Sequence, residues 1–124
     1  MEQLSESQLA FMQALWRQPD ATVGQVKDTL ESMGRNLAQT TVATVLGRLE
    51  KKGLVAHRRD GRQYLYRACV SEQDVRDSVL TRVTEGLFGG SPGALICQLL
   101  DNNDVSDEEL AEVRRLIAQR EAQS

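Results

Sequence analysis

QTTVATVLGRLEKKGLVAHRRDGRQYLYRA, residues 39–68 of a 124-residue chain, changes its hydrophobic period once, at Gly53. Before it, Val42, Val45, Leu46 and Leu49 recur at helical spacing, which predicts a helix beginning at Gln39 or Thr40. Gly53 is a natural stop, and the charges of Lys51 and Lys52 suit the negative end of the helix dipole. Beyond it, two β-prone runs flank Asp60-Gly61, a strong short-range signal for a tight two-residue hairpin turn. Tyr64, Leu65 and Tyr66 place apolar groups on both faces of the return strand, so either tyrosine could be the core one.

The two faces of this helix differ in chemistry. Opposite the apolar stripe lie Thr40, Thr41, Ala43, Thr44, Gly47, Arg48 and Lys51. Short hydroxyls and small side chains near the N-terminal end let a helix lie deep in a groove, and basic residues further along can reach phosphates. Arg58, Arg59 and Arg62 crowd the hairpin tip, where three like charges repel one another unless a polyanion is near. A helix with a polar, basic outer face followed by an arginine-tipped hairpin has the layout of a recognition helix and a wing, with duplex DNA as expected ligand. Thr41 and Thr44 are candidates for base-edge or thymine-methyl contacts, and Arg48, Lys51, Arg58, Arg59 and Arg62 for the DNA backbone.

Charge is distributed accordingly. The whole chain is acidic, with a formal net charge of −3. Residues 1–68 nevertheless hold 10 Lys and Arg against 7 Asp and Glu, and residues 69–124 hold 5 against 11. Between Arg35 and Arg67 the balance is 8 to 2, a local excess of +6. A basic segment inside an acidic protein is the footprint of a local polyanion site.

Upstream, Ser5 with Gln8 reads as a capping box opening a first helix, with Leu9, Met12, Leu15 and Trp16 on its core stripe, ended by Pro19-Asp20. Thr22 with Gln25 repeats the signal for a second, with Val23, Val26, Leu30 and Met33 inward and Gly34 as its stop. Downstream, Ser71 and Asp74 open a long helix carrying Val75, Val79, Leu80, Val83, Leu87 and Phe88, broken at Gly89-Gly90. Ser91-Pro92 reads as N-cap and N1 of a short helix rich in apolar residues, Leu95, Ile96, Leu99 and Leu100 among them. A polar loop from Asp101 to Val105 leads to the capping box of Ser106 and Glu109, and to a last helix with Leu110, Val113, Leu116 and Ile117. The expected architecture is mainly α with a small β-hairpin wing. Residues 1–69 form a winged helix-turn-helix domain, and residues 70–124 a three-helix dimerisation module, because so short a segment with so much apolar surface needs a partner. Val75, Val79, Val83, Leu87, Leu95, Leu99, Leu110, Val113 and Ile117 are the candidate dimerisation residues.

Other functions are disfavoured. One histidine, two cysteines 28 positions apart and no glycine-rich phosphate loop leave no catalytic constellation and no metal site, and no cofactor is expected. Cys69 and Cys97 are expected to be free and buried, although a thiol-responsive role is open to them. The longest apolar patch, Leu9 to Trp16, is interrupted by Gln13 and lacks a basic leader, so the chain is expected to be cytoplasmic without membrane insertion. A winged-helix module that docks protein is the rival reading, because fold alone does not decide function; the basic segment argues against it.

The chain resembles the penicillinase repressor family, of BlaI and MecI type, with the copper-responsive CopY repressors as relatives. The resemblance is carried by LSESQLAFMQALW near the start, TTVATVLGRLEKKGLVAHRRDGRQYLY in the middle and SPGALICQLLDNNDVSDEELAEVRRLI near the end, and so spans nearly the whole sequence. It implies a homodimeric winged-helix repressor on a palindromic operator. The family's recognition positions map onto Thr40, Thr41, Ala43 and Thr44, and its basic wing residues onto Arg58, Arg59 and Arg62. Ala43 departs from the arginine often found there. Antibiotic-responsive members are relieved by cleavage at an Asn-Phe bond, downstream of a membrane metallopeptidase sensor. The matching pair here is Gln98-Leu99, the candidate cleavage region. The copper-responsive branch carries a C-terminal cysteine cluster that IAQREAQS lacks.

Overall fold

The computed structural model describes residues 4–124, as six helices and one two-stranded hairpin. In order these are α1 (Glu6–Arg17), α2 (Val23–Ser32), α3 (Gln39–Lys51), β1 (Val55–Asp60), β2 (Gln63–Ala68), α4 (Glu72–Leu87), α5 (Pro92–Asp101) and α6 (Asp107–Ala122). The chain divides into two compact units, one reaching to Ser78 and the other running from Val79 to Ser124, with α4 continuous across the division. No helix among the described residues is long and apolar enough to cross a membrane.

The helix starts follow the capping signals. Ser5, Thr22 and Ser106 each accept a hydrogen bond from the N3 backbone N–H while the N3 Gln or Glu side chain accepts one from the cap residue's own N–H, satisfying two otherwise orphaned donors. Ser71 Oγ accepts from Asp74 N at 3.0 Å, and Ser91 caps α5 with Pro92 behind it. α3 differs: its N-cap is Ala38, which offers no side chain to the first turn.

In the first unit α1, α2 and α3 pack on one another and on the hairpin around Phe11, Met12, Leu15, Val26, Leu30, Val42, Leu46, Leu49 and Val55, all essentially inaccessible to solvent. Two expectations shift here. Phe11, absent from the expected stripe of α1, is fully buried, while Leu9 and Trp16 are only half-buried. Phe11 lies one helical turn before Ala14 and Leu15 and so shares their face, whereas Trp16 sits at its edge and sends Nε1–H to the Val70 carbonyl at 3.0 Å. Val45 is likewise half-buried, at the margin of the α3 stripe.

The hairpin pairs Val55 with Ala68 and Asp60 with Gln63, so Asp60 closes β1 and the two-residue turn is Gly61-Arg62, one position later than expected. Gly61 has φ +63° and Arg62 has no positive φ. This is the pattern in which only the first central residue must be glycine; an Asp60-Gly61 turn would have placed an aspartate there too. The outer edge of β2 is also paired: Ala21 N donates to the Tyr66 carbonyl at 3.0 Å and Tyr66 N to the Ala21 carbonyl at 2.8 Å. One row, His57, Tyr66 and Ala21, therefore ties the base of the hairpin to the α1–α2 connection.

The second unit is built otherwise. Of residues 79–124 none is buried. Leu80, Leu87, Leu116 and Ile117 are 53%, 78%, 50% and 52% exposed. α4 ends where Gly89 and Gly90 take positive φ, and Asn103 does the same after α5. The expectation of buried thiols is corrected: Cys69 and Cys97 are free but exposed. Cys69 follows the last residue of β2, past the packed strand interior, and Cys97 rides on a helix with no buried residue at all.

Candidate nucleic-acid interface

α3 turns its apolar side chains inward so completely that the opposite side consists of the groups the sequence singles out. Thr40, Thr41, Ala43, Thr44, Gly47, Arg48 and Lys51 are all exposed, over about three turns of helix. Thr44 Oγ1 donates to the Thr40 carbonyl at 2.9 Å, so its hydroxyl hydrogen is engaged within the helix while its methyl group and remaining lone pair face outward. Neither threonine caps the helix, since Ala38 occupies that position.

The hairpin supplies a second basic group. Arg58, Arg59 and Arg62 are exposed at or near its tip. Arg58 approaches Asp20 at 3.8 Å, and Arg59 lies over the Tyr64 ring, 5.4 Å from its centroid, with Nη2 donating to Tyr64 Oη at 3.3 Å. Among the described residues no carboxylate pairs with Arg48, Lys51 or Arg62. Of the tyrosines, Tyr66 is the core residue, 7% exposed, and Tyr64 the outer one, 42% exposed. Burial, reinforced by the charge of nearby Glu50, pushes the Tyr66 phenol above its usual pKa, so it stays neutral. The beginnings of α2 and α3 and the return strand meet at a groove of about 300 Å³ lined by Thr22, Val23, Gly24, Gln39, Gln63 and Tyr64.

Sequence reasoning missed one arrangement here. Glu50, in the last turn of α3, accepts a hydrogen bond from His57 Nδ1 on β1 at 2.5 Å. The His57 ring also packs against Tyr64 at 4.5 Å and Tyr66 at 5.5 Å between centroids. Seven positions of separation and a change of secondary structure between the partners hid this contact from any periodicity.

The other candidates lie elsewhere. Val75 is buried in the first unit, at 3% exposure. Val79, Val83, Leu95, Leu110 and Val113 are partly exposed and Leu87, Leu99 and Ile117 exposed in the second unit. Ile96, Leu99, Leu100, Val105, Val113, Leu116 and Ile117 line an open apolar groove of about 450 Å³ in that unit. Gln98 and Leu99 are both exposed on α5. No cluster of potential metal ligands occurs among the described residues.

Comparison with known proteins accounts for this construction. Residues 4–119 match the family model for the penicillinase repressor. The transcriptional regulator BlaI of Mycobacterium tuberculosis is 36% identical over 125 residues, covering 98% of this chain and 88% of that protein. The penicillinase repressor of Bacillus licheniformis is 25% identical over 115 residues, covering 93% of this chain and 89% of that one. Among solved structures, monomeric Bacillus licheniformis BlaI in complex with the blaP half-operator superposes with a TM-score of 0.50 at 30% identity, over 59% of this chain and 88% of that one. MarR superposes with a TM-score of 0.54 over 97% of this chain and 77% of its own, at 20% identity, a likeness of fold. With a winged helix-turn-helix fold and a family match over residues 4–119, the chain belongs to the penicillinase repressor family, whose members are transcriptional repressors rather than enzymes.

Proposed function

We propose that the protein is a sequence-specific DNA-binding repressor acting as a homodimer on a palindromic operator. The observation that carries this reading is the sorted surface of α3: Val42, Leu46 and Leu49 are fully buried, and hydroxyl, small and basic side chains hold the whole opposite side. Each protomer lays α3 in a major groove, with Thr40, Thr41, Ala43 and Thr44 at base edges and Arg48 and Lys51 at phosphates. The Gly61-Arg62 turn carries Arg58, Arg59 and Arg62 against the neighbouring backbone or minor groove. Repression follows from excluding polymerase. That a solved relative, monomeric BlaI, is in complex with a half-operator supports DNA as the ligand.

Two protomers join through the second unit. α4 residues Val79, Val83 and Leu87, α5 residues Leu95 and Leu99, and α6 residues Leu110, Val113 and Ile117 supply the contact, while Val75, buried in the first unit, drops out of the expected set. Exposed apolar surface of this extent on three capped helices supports a self-complementary interface. Release comes from an upstream signal such as proteolysis at Gln98-Leu99, initiated by a membrane metallopeptidase sensor or a protease downstream of it, with the repressor itself cytoplasmic and needing no cofactor.

The test is selection of genomic fragments by the purified protein at near-physiological salt, followed by sequencing. Enrichment of a short palindrome establishes the repressor and names its genes; retention of bulk DNA alone, or of none, moves the protein-docking reading to first place. Exposure of Cys69 between the wing and α4 favours a second mode of release, by thiol modification. Alkylation that leaves operator affinity unchanged excludes it.

A further inference from the structure

The acids of the basic segment need explaining as much as its bases. Between Arg35 and Arg67 only Glu50 and Asp60 oppose eight Lys and Arg. Asp60 pairs with Gln63 at the hairpin turn. Glu50 sits in the last turn of α3, where a carboxylate faces the negative end of the helix dipole and lies beside the phosphates that Arg48 and Lys51 are proposed to meet. Both terms disfavour a carboxylate there, so a compensating role is called for.

The Glu50 carboxylate meets His57 on β1, whose Nδ1 lies 2.5 Å from Glu50 Oε1. A carboxylate can only accept, so Nδ1 carries the hydrogen. His57 occupies the last row at which the hairpin is held on both sides: Tyr66 faces it across the ladder, and Ala21 holds Tyr66 from the far edge. Beyond that row, among the described residues, no backbone hydrogen bond ties the outer edge of β2 to the rest of the unit, and the one ion pair there is the exposed Arg58–Asp20 approach at 3.8 Å. From His57 the contacts continue outward, its ring against Tyr64 and Tyr64 against Arg59.

We infer that the Glu50–His57 hydrogen bond is a positioning strut, fixing the wing against the recognition helix so that the wing arginines and α3 engage one duplex together. Neither residue touches DNA in this arrangement; both act through Arg58, Arg59 and Arg62. The inference rests on the DNA-binding reading and deepens it.

The sign of the effect separates the strut from simple electrostatics. A carboxylate that did nothing but repel phosphates would, on removal, tighten binding and steepen its salt dependence. Loss of a strut frees the wing, so Glu50→Ala weakens binding roughly fivefold at low salt, the scale of one exposed charged hydrogen bond. It also flattens the plot of log affinity against log salt, by up to about 0.9 for each wing arginine disengaged. Glu50→Gln, which keeps an acceptor for His57, retains most of the affinity. His57→Ala reproduces the loss, and the double variant is no worse than either single one.

The probe is a labelled mixed-sequence duplex of about 30 base pairs, long enough for two half-sites, titrated by fluorescence anisotropy across a salt series, with thermal unfolding of each variant as a check on folding. Arg62→Ala serves as the wing control. If the parent protein shows no salt-dependent binding, the DNA-binding reading itself fails. If the parent binds and Arg62→Ala weakens it, while Glu50→Ala and His57→Ala bind as well as the parent or better, the strut alone is overturned. Additive losses in the double variant overturn it too.

Discussion

Thr44 illustrates how much of a recognition surface is decided within one side chain. Because its hydroxyl hydrogen is engaged by the Thr40 carbonyl, the group it offers a groove is a methyl and an acceptor. Thr44→Ala is therefore expected to cost about 1–3 kcal/mol of discrimination at one base pair while leaving affinity for unrelated duplex almost intact. Competition among single-base operator variants measures this, and an equal loss on all sequences refutes it. Arg62→Ala should do the reverse, weakening every sequence alike and lowering the salt slope by about one. Gly61 makes a conformational prediction instead. A Cβ there meets no atom within 4 Å, but φ is +63°. Gly61→Val is thus strained rather than crowded, and should lower stability in urea by about 1–2 kcal/mol.

The helix starts were the most legible elements, because capping is local chemistry: Ser5 with Gln8, Thr22 with Gln25 and Ser106 with Glu109 each close as the sequence implies. The capping box of α6 also carries a pH signature. The Ser106 backbone N–H, and then its hydroxyl, hold the Glu109 carboxyl below a glutamate's ordinary pKa. A carboxylate depressed in the folded state stabilises at neutral pH, and that contribution disappears as pH falls from the ordinary carboxylate range through the lower folded value. α6 should accordingly lose helicity on acidification through that window by circular dichroism, and Ser106→Ala should shrink the response. Less legible were features set by partners distant in sequence. Phe11 reads as one apolar residue among several until packing chooses its face, the hairpin turn slides by one residue because strand register outranks the dipeptide signal, and Glu50–His57 joins two elements. The basic surface was legible because groove-facing positions are defined by what the core leaves over, whereas thiol exposure depended on packing that composition does not report.

At the scale of the molecule, the two units obey different rules. The first has a closed core, and Leu46→Ala should cost it about 2–5 kcal/mol, measured by denaturant unfolding of the full chain. The second presents its apolar residues outward, so Leu116→Glu is expected to shift sedimentation from dimer toward monomer and to weaken operator binding without loss of the first unit's core. An unchanged dimer in that variant would move the proposed interface off α6. If the second unit closes on a second copy as proposed, the absence of any buried side chain from Val79 to Ser124 has a consequence for the cell's gene dosage. Stability borrowed from a partner follows mass action, rising with protomer concentration, whereas the stability of the DNA-reading unit does not. On the proposed dimer, dilution through growth and division would then loosen the C-terminal helices and the paired grip on the operator together. Copy number itself would become a threshold below which repression collapses abruptly instead of fading.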